Sequence, residues 1–173
     1  MESQIKKAAG TDSFWRCKEK VMVNFERERK KVPFLVLDGA MGTELAARGF
    51  DTDDALWSAK ALFEQPALIC AIHAAYYAAG ADISTSASYQ ATVEGFEKKG
   101  FGRRTAKELM LRSVKLTREA RDAAAKTWCG SPTPYQTFVA TWYEAGAALI
   151  GGCCRTHPKD IADIAAFRAG LLS

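Results

Sequence analysis

An α/β fold built on parallel strands is the class the sequence predicts, and two observations predict it. The run "FLVLD" at 34–38 is short, continuously apolar and closed by Asp38-Gly39, the pattern of a strand buried on both faces. The second is a repeated joint. "YYAAGADIST" at 76–85 and "WYEAGAALIG" at 142–151 each read as a helix end, an Ala-Gly-Ala turn and a strand. Gly80 and Gly146 sit where a helix C-terminus favours a left-handed residue.

Residues 1–31 are polar, charged and without steady periodicity, and read as an extension ahead of a folded unit spanning 32–173. Their basic residues, Arg16, Lys18, Lys20, Arg27, Arg29, Lys30 and Lys31, are interrupted by Glu19, Glu26 and Glu28. That mixture predicts a solvated helical face or linker, with no nucleic-acid partner. The first strand follows at 34–38, and its C-terminal end is a place to look for a site. Pro66 suits the first turn of a helix in which Leu68, Ala71, Ile72, Ala75, Tyr76 and Ala79 recur at the spacing of one face, and which stops at Gly80. "ADISTSASY" is then the second strand, at about 82–87. A long helix from about Arg103 to Lys126 turns Ala106, Leu109, Met110 and Val114 inward, and "WCGSPTPY" at 128–135 breaks it with a glycine and two prolines. A third strand at 148–152 precedes a last helix from near Pro158, with Ile161, Ile164 and Ala165 facing in.

At 173 residues, 48% hydrophobic and 25% charged, the chain has the composition of one soluble globular domain, with a net charge of +4. No run reaches the roughly 18–20 apolar residues of a membrane span, and the N-terminus lacks a secretory pattern, so the expected location is cytoplasmic. Five cysteines, at 17, 70, 129, 153 and 154, are an odd number without the spacing of a disulfide framework. In a reducing compartment they are thiols, metal ligands or core fillers.

"ALIGGCCRTHP" at 148–158 sets Cys153 and Cys154 side by side at a strand end. Thiolates suit zinc, and a catalytic zinc takes three protein ligands plus an open position. Neighbouring residues of a regular strand point to opposite faces, so both reach one ion only if the chain leaves strand geometry, which Gly151 and Gly152 permit. The competing reading makes them buried fillers. Asp38 either holds an ammonium group or caps the following helix, and the cap is the commoner use of such a residue. His73 falls beside the apolar face of its helix and reads as structural, while His157 is a weaker candidate ligand. Trp57, Tyr89 and Gln90 either line a pocket or belong to the core.

Three motifs in order, "LDGAMGTELAARG" with "LWSAK", "YYAAGADISTSASYQAT" and "AGAALIGGCCRTHPKDI", resemble the homocysteine S-methyltransferase family, over about 34–127 and again 134–168. "SASYQAT" is more similar to the branch using S-methylmethionine than to the branch using betaine. The resemblance implies a (β/α)8 barrel with a zinc held by three cysteines at its C-terminal face, where the homocysteine sulfur binds. It implies that Cys153 and Cys154 are two of those ligands, that Asp38 helps hold the homocysteine amino group, and that Trp57 and Tyr89 face a cationic methyl donor. Zinc favours the thiolate, which is the nucleophile in methyl transfer from a sulfonium.

The sequence departs from that pattern in two ways. The third cysteine of the family lies in a "GxNC"-type segment that is not found here, and Cys17, Cys70 and Cys129 do not match it. The matching portion is also short for a barrel of about 200 residues or more. It jumps near 128–134 from the helix after the second strand to the helix before the last. The expected product is an incomplete barrel retaining strands like the first, second and last, in spatial order last, first, second. Its exposed edges would promote self-association or pairing with a full-length relative. Three expectations follow: a methyltransferase whose third ligand is Cys129, His157 or a second subunit's residue; a non-catalytic fragment that pairs with a full-length relative; or a truncated product without function.

Overall fold

The computed structural model describes residues 25–124 and 136–172. The elements in chain order are α1 (Phe25–Arg29), β1 (Leu35–Val36), α2 (Met41–Ala47), a 3-10 turn (Trp57–Lys60), α3 (Ala61–Glu64), α4 (Pro66–Ala78), α5 (Val93–Lys98), α6 (Arg103–Ala124), α7 (Gln136–Glu144), β2 (Leu149–Ile150) and α8 (Pro158–Gly170). β1 pairs in parallel with β2, Leu35 opposite Leu149 and Val36 opposite Ile150, and a parallel bridge joins Leu37 to Ile83 on the other side. The spatial order is therefore 149–150, 35–37, 83, with the first strand in the middle.

The second strand, expected over 82–87, contracts to the single bridge at Ile83. Aspartate side chains explain this. On that side of β1 the Val36 amide donates to Asp82 Oδ2 at 2.9 Å, and beyond the bridge the Thr85 amide donates to Asp38 Oδ2 at 2.8 Å. Carboxylates occupy the positions where main-chain carbonyls would extend a ladder, so the segment runs alongside β1 without forming a regular strand.

Both helix-to-strand joints have one geometry. Ala81 N donates to Tyr76 O and Gly80 N to Tyr77 O; Ala147 N donates to Trp142 O and Gly146 N to Tyr143 O. These are Schellman closures, and Gly80 (φ 100°) and Gly146 (φ 92°) supply the left-handed residue each requires. The core lies between β1 and the helices: Phe34, Val36, Leu45, Ile69, Ile72, Tyr76, Phe96, Ile161 and Ile164 are buried. The inward face of α8 is the one expected. That of α6 is the one expected at Ala106 and Leu109, with Met110 partly buried against the core, but it continues through Ser113, Leu116, Thr117 and Ala120 while Val114 is exposed. Hydrogen bonding makes the two polar residues fit there: Ser113 Oγ donates to Met110 O, and Thr117 Oγ1 lies against both Ser113 O and the ring of His73. The boundary expected near 128–134 and most of the extension at 1–31 lie outside the described residues; of the extension, 25–29 are helical.

Candidate functional site

The C-terminal ends of the three parallel segments converge. Asp38 follows β1, Ser84 and Thr85 follow the bridge at Ile83, and Gly151, Gly152 and the cysteine pair follow β2. The Gly152 amide donates to Asp38 O at 3.3 Å, which fastens the cysteine loop to the end of β1.

Asp38 is buried and does not cap α2, whose N-cap is Ala40 without a side-chain bond. The carboxylate turns instead to the second segment, accepting from Ser84 Oγ (2.6 Å), Thr85 N (2.8 Å) and Thr85 Oγ1 (3.0 Å). Burial raises its pKa above the ordinary carboxylate value, and the three donors pull the other way. The commoner expectation for this residue, a helix cap, is thereby corrected.

Cys153 and Cys154 are exposed, not core fillers, and their sulfurs lie 3.8 Å apart. The chain has left strand geometry, as one shared ligand would need. A Cβ on Gly151 would stand 2.3 Å from Leu37 Cβ, and one on Gly152 would stand 2.2 Å from Thr156, so only glycine lets the loop approach this closely. The loop is then held at three points by α4 and α2. Tyr76 Oη donates to Thr156 O at 2.8 Å, Arg155 N donates to Thr43 Oγ1 at 3.2 Å, and His157 Nδ1 lies 2.6 Å from Glu44 Oε1. Glu44 also binds Arg48 (3.1 Å), and the His157 amide donates to Asp160 Oδ2 at the start of α8.

Trp57 and Tyr89 meet edge to face, with ring centroids 6.5 Å apart, and both reach solvent instead of the core. Gln90 is exposed as well. The Trp57 indole lies so close over Gly42 that a Cβ there would stand 2.2 Å from it, which ties the aromatic pair to α2 and through Thr43 to the cysteine loop. Among the described residues two that are not glycine have positive φ, Trp57 (43°) and Arg155 (63°), and both belong to this region. Strained backbone of this kind is held in place by its surroundings and concentrates at functional sites.

The structure thus brings Asp38 and the cysteine pair to one end of the sheet, with the two aromatics joined to it through α2. Tyr76, Glu44, Ser84, Thr85 and Thr156 were not singled out by sequence as site residues. Tyr76 read as one position on a helical face, and the only signal for the hydroxyls was their place at a strand end. Cys17 and Cys129 lie outside the described residues. Among the described residues no group of three or more His, Cys, Asp and Glu side chains is placed to hold a metal. An open cavity of about 340 Å³ lined by Tyr77, Gly80, Ala81, Asp82 and Arg168 lies at the opposite, N-terminal end of the strands, where Arg168 pairs with Asp82.

A profile of the family described as homocysteine S-methyltransferase matches residues 35–141 and 125–167. The chain belongs to the homocysteine S-methyltransferase family. Homocysteine S-methyltransferase 2 of Zea mays is 48% identical over 121 residues, which are 68% of this chain and 36% of the maize protein. Homocysteine S-methyltransferase of Escherichia coli (strain K12) is 41% identical over 138 residues, 80% of this chain and 40% of its own length. The chain therefore spans well under half the length of these relatives. Among solved structures, the metallated form of the homocysteine methyltransferase MmuM from Escherichia coli superposes with a TM-score of 0.68 at 25% identity, over 81% of this chain and 98% of that one. Among the described residues no helix is long and apolar enough to cross a membrane.

Proposed function

We propose that this chain carries the homocysteine face of a zinc-dependent homocysteine S-methyltransferase. Its reaction is methyl transfer from S-methylmethionine or another sulfonium to homocysteine, giving methionine. The observation that carries the reading is the cysteine pair. Two thiolates on one tetrahedral zinc, each at about 2.3 Å, lie about 3.8 Å apart, and Cys153 Sγ and Cys154 Sγ are separated by 3.8 Å at an exposed strand end. The donor set fits zinc by softness and spacing, and a third ligand comes from outside the described residues or from a second chain. When bound, zinc would hold the substrate sulfur as a thiolate near neutral pH.

The chain's own residues do the rest. Asp38 offers a carboxylate to the substrate's ammonium group, next to the loop that presents the thiols. Trp57 and Tyr89 offer π faces to a cationic donor. No general acid is required, because a sulfonium that gives up its methyl leaves as a neutral thioether. We read the chain as an internally shortened, incomplete barrel within a folded unit at 32–173, preceded by the extension at 1–31, with the deletion near 128–134 and with activity impaired by the loss. Two figures support this: sequence matches cover 36–40% of the relatives, whereas the superposition spans 98% of MmuM, as it would if the retained pieces came from both ends of a barrel. The cytoplasm is the proposed location.

Zinc content after gel filtration tests the reading, with wild type compared against Cys153→Ser and Cys154→Ser. About one zinc per chain or per dimer, lost in both variants, is expected; a folded wild type that retains none would sink the proposal. A second reading, pairing with a full-length relative, is favoured by Phe138 and Trp142, whose rings pack 6.2 Å apart on α7 and remain exposed. Sedimentation of the chain alone and mixed with such a relative distinguishes the two.

A further inference from the structure

Behind Asp38 runs a line of buried polar groups that methyl transfer does not use. His73, wholly buried on α4, has Nδ1 2.8 Å from Ser84 Oγ and Nε2 3.0 Å from Thr117 Oγ1. Ser84 Oγ is 2.6 Å from Asp38 Oδ2, and Thr117 Oγ1 is 2.9 Å from Ser113 O. A hydroxyl has one proton to give, and an ionised carboxylate has none. With Asp38 ionised, the Ser84 proton goes to Oδ2. His73 Nδ1 must then carry a hydrogen and donate to Ser84 Oγ, since otherwise two lone pairs would face each other at 2.8 Å. A neutral imidazole so protonated has a bare Nε2, which takes the Thr117 proton, while Ser113 O keeps its bond within the helix.

The same accounting leaves one vacancy on the carboxylate. Among the described residues, Oδ2 accepts from Ser84 Oγ and Thr85 N, which fills both its lone pairs, whereas Oδ1 accepts from Thr85 Oγ1 alone. We infer that His73 is a positioning residue: through Ser84 it fixes Asp38 as an acceptor with a single open lone pair on Oδ1, and so sets the site's preference for a thiol substrate bearing an amino group. The inference rests on the reading of Asp38 as the group that meets the substrate ammonium. Burial supports it by lowering the His73 pKa to about 4, so that the ring is neutral near pH 7 and its neighbours decide which nitrogen holds the proton. Tyr77 also faces Ser84, with Arg121 and Asp122 acting on it from α6.

The proton arrangement is testable without a variant of the relay. The chain has two histidines, His73 and His157, so nitrogen-15 histidine labelling gives two imidazoles, assigned by comparison with His157→Gln. Long-range proton–nitrogen spectra at pH 7 should show His73 as the Nδ1–H tautomer. In Asp38→Ala the freed Ser84 proton can go to Nδ1, and Ser84, His73 and Thr117 each keep an acceptor along the line only if His73 becomes the Nε2–H tautomer. An Nε2–H ring in wild type, or one tautomer in both proteins, would overturn the inference. A second measurement separates the relay from the substrate reading: equilibrium binding of L-homocysteine against 4-sulfanylbutanoate, which lacks the amino group. Wild type should prefer L-homocysteine by about tenfold, the worth of one charge-assisted hydrogen bond. Asp38→Ala and His73→Phe should lose the preference. A preference surviving in His73→Phe overturns the role given to His73. A tautomer switch with no preference in wild type overturns the assignment of Asp38 to the amino group, and the specificity role with it.

Discussion

Replacing Tyr76 by phenylalanine removes one oxygen from the core, and the structure fixes what that oxygen does. It is buried, 2.8 Å from Thr156 O and 3.3 Å from Ala40 O, and its single proton belongs to the shorter contact. The Thr156 carbonyl is not orphaned by the change, because the Ala40 amide also donates to it at 3.3 Å. The loss is therefore that of an ordinary buried hydrogen bond, about 1 kcal/mol, below the larger cost of an abandoned acceptor. In a chain of this size, that lowers Tm by about 2–4 °C. Because burial drives the phenol pKa upward, the group donates at every pH where the chain is folded, and the difference from wild type should not change between about pH 6 and pH 9. Thermal and urea unfolding by circular dichroism measure it, with an unchanged m-value. The same substitution loosens the cysteine loop from residues 38–40, so zinc retention should fall in parallel. An unchanged Tm would refute the account of Tyr76 as the loop's tie. So would a loss near the roughly 3–5 kcal/mol that follows removal of a whole buried aromatic.

Gly42→Ala should cost about 1–3 kcal/mol, because its Cβ would enter the Trp57 ring; urea titration together with tryptophan fluorescence reads both the loss and the displaced indole. Asp82→Ala leaves the Val36 amide without its acceptor and Arg168 without its carboxylate, keeping only the long contact to Phe34 O, and a loss of about 1–3 kcal/mol in urea is expected. His73 is neutral in the folded chain down to about pH 4 but protonates near 6.5 when unfolded, so the unfolded state binds more protons in that window. Stability should therefore fall as pH drops from 6.5 towards 4, by up to about 1.4 kcal/mol per unit. Asp38, with its raised pKa, opposes this just above 3.8, and urea midpoints of wild type and His73→Gln at several pH values isolate the histidine part.

Much of the framework was legible because it depends on local rules. The apolar run at 34–38, the two glycine-closed helix ends and the inward face of α8 each follow from a few consecutive residues. What was not legible depends on partners distant in sequence. The second strand looked regular by composition, and only the positions of Asp38 and Asp82 across the sheet convert it to one bridge. Ser113 and Thr117 were not placed on the inward face of α6, and their bonds to Met110 O, Ser113 O and the histidine on α4 let them be buried there. Val114 failed as a core residue for the complementary reason, since the buried stripe had already been filled through those hydroxyls. For the site, the cysteines and Asp38 were visible as residue types at strand ends. Their supports, Tyr76, Thr156 and Glu44, are ordinary residues whose roles exist only once α2, α4 and the loop before α8 meet.

Neighbour relations in the sheet, more than closure of a barrel, place the groups of this site. Leu37 sits at the junction of all of them: its amide donates to Ile150 O on the β2 side, and it bridges to Ile83 on the other. One residue further, Asp38 gives its backbone carbonyl to Gly152 and its carboxylate to Ser84 and Thr85, joining the cysteine loop and the hydroxyl segment through a single side chain and a single peptide. Each of these bonds needs only the strand immediately beside β1. The relation between Asp38 and the thiols can therefore persist in three segments, whereas a third metal ligand presented from a more distant strand cannot. On this geometry amino-acid recognition and metal retention are separable, and Asp38→Ala should abolish discrimination for the amino group while leaving the zinc content of the cysteine pair unchanged. If zinc were lost as well, the carboxylate would be holding the loop's shape, and the division of labour argued from the backbone bonds would be wrong.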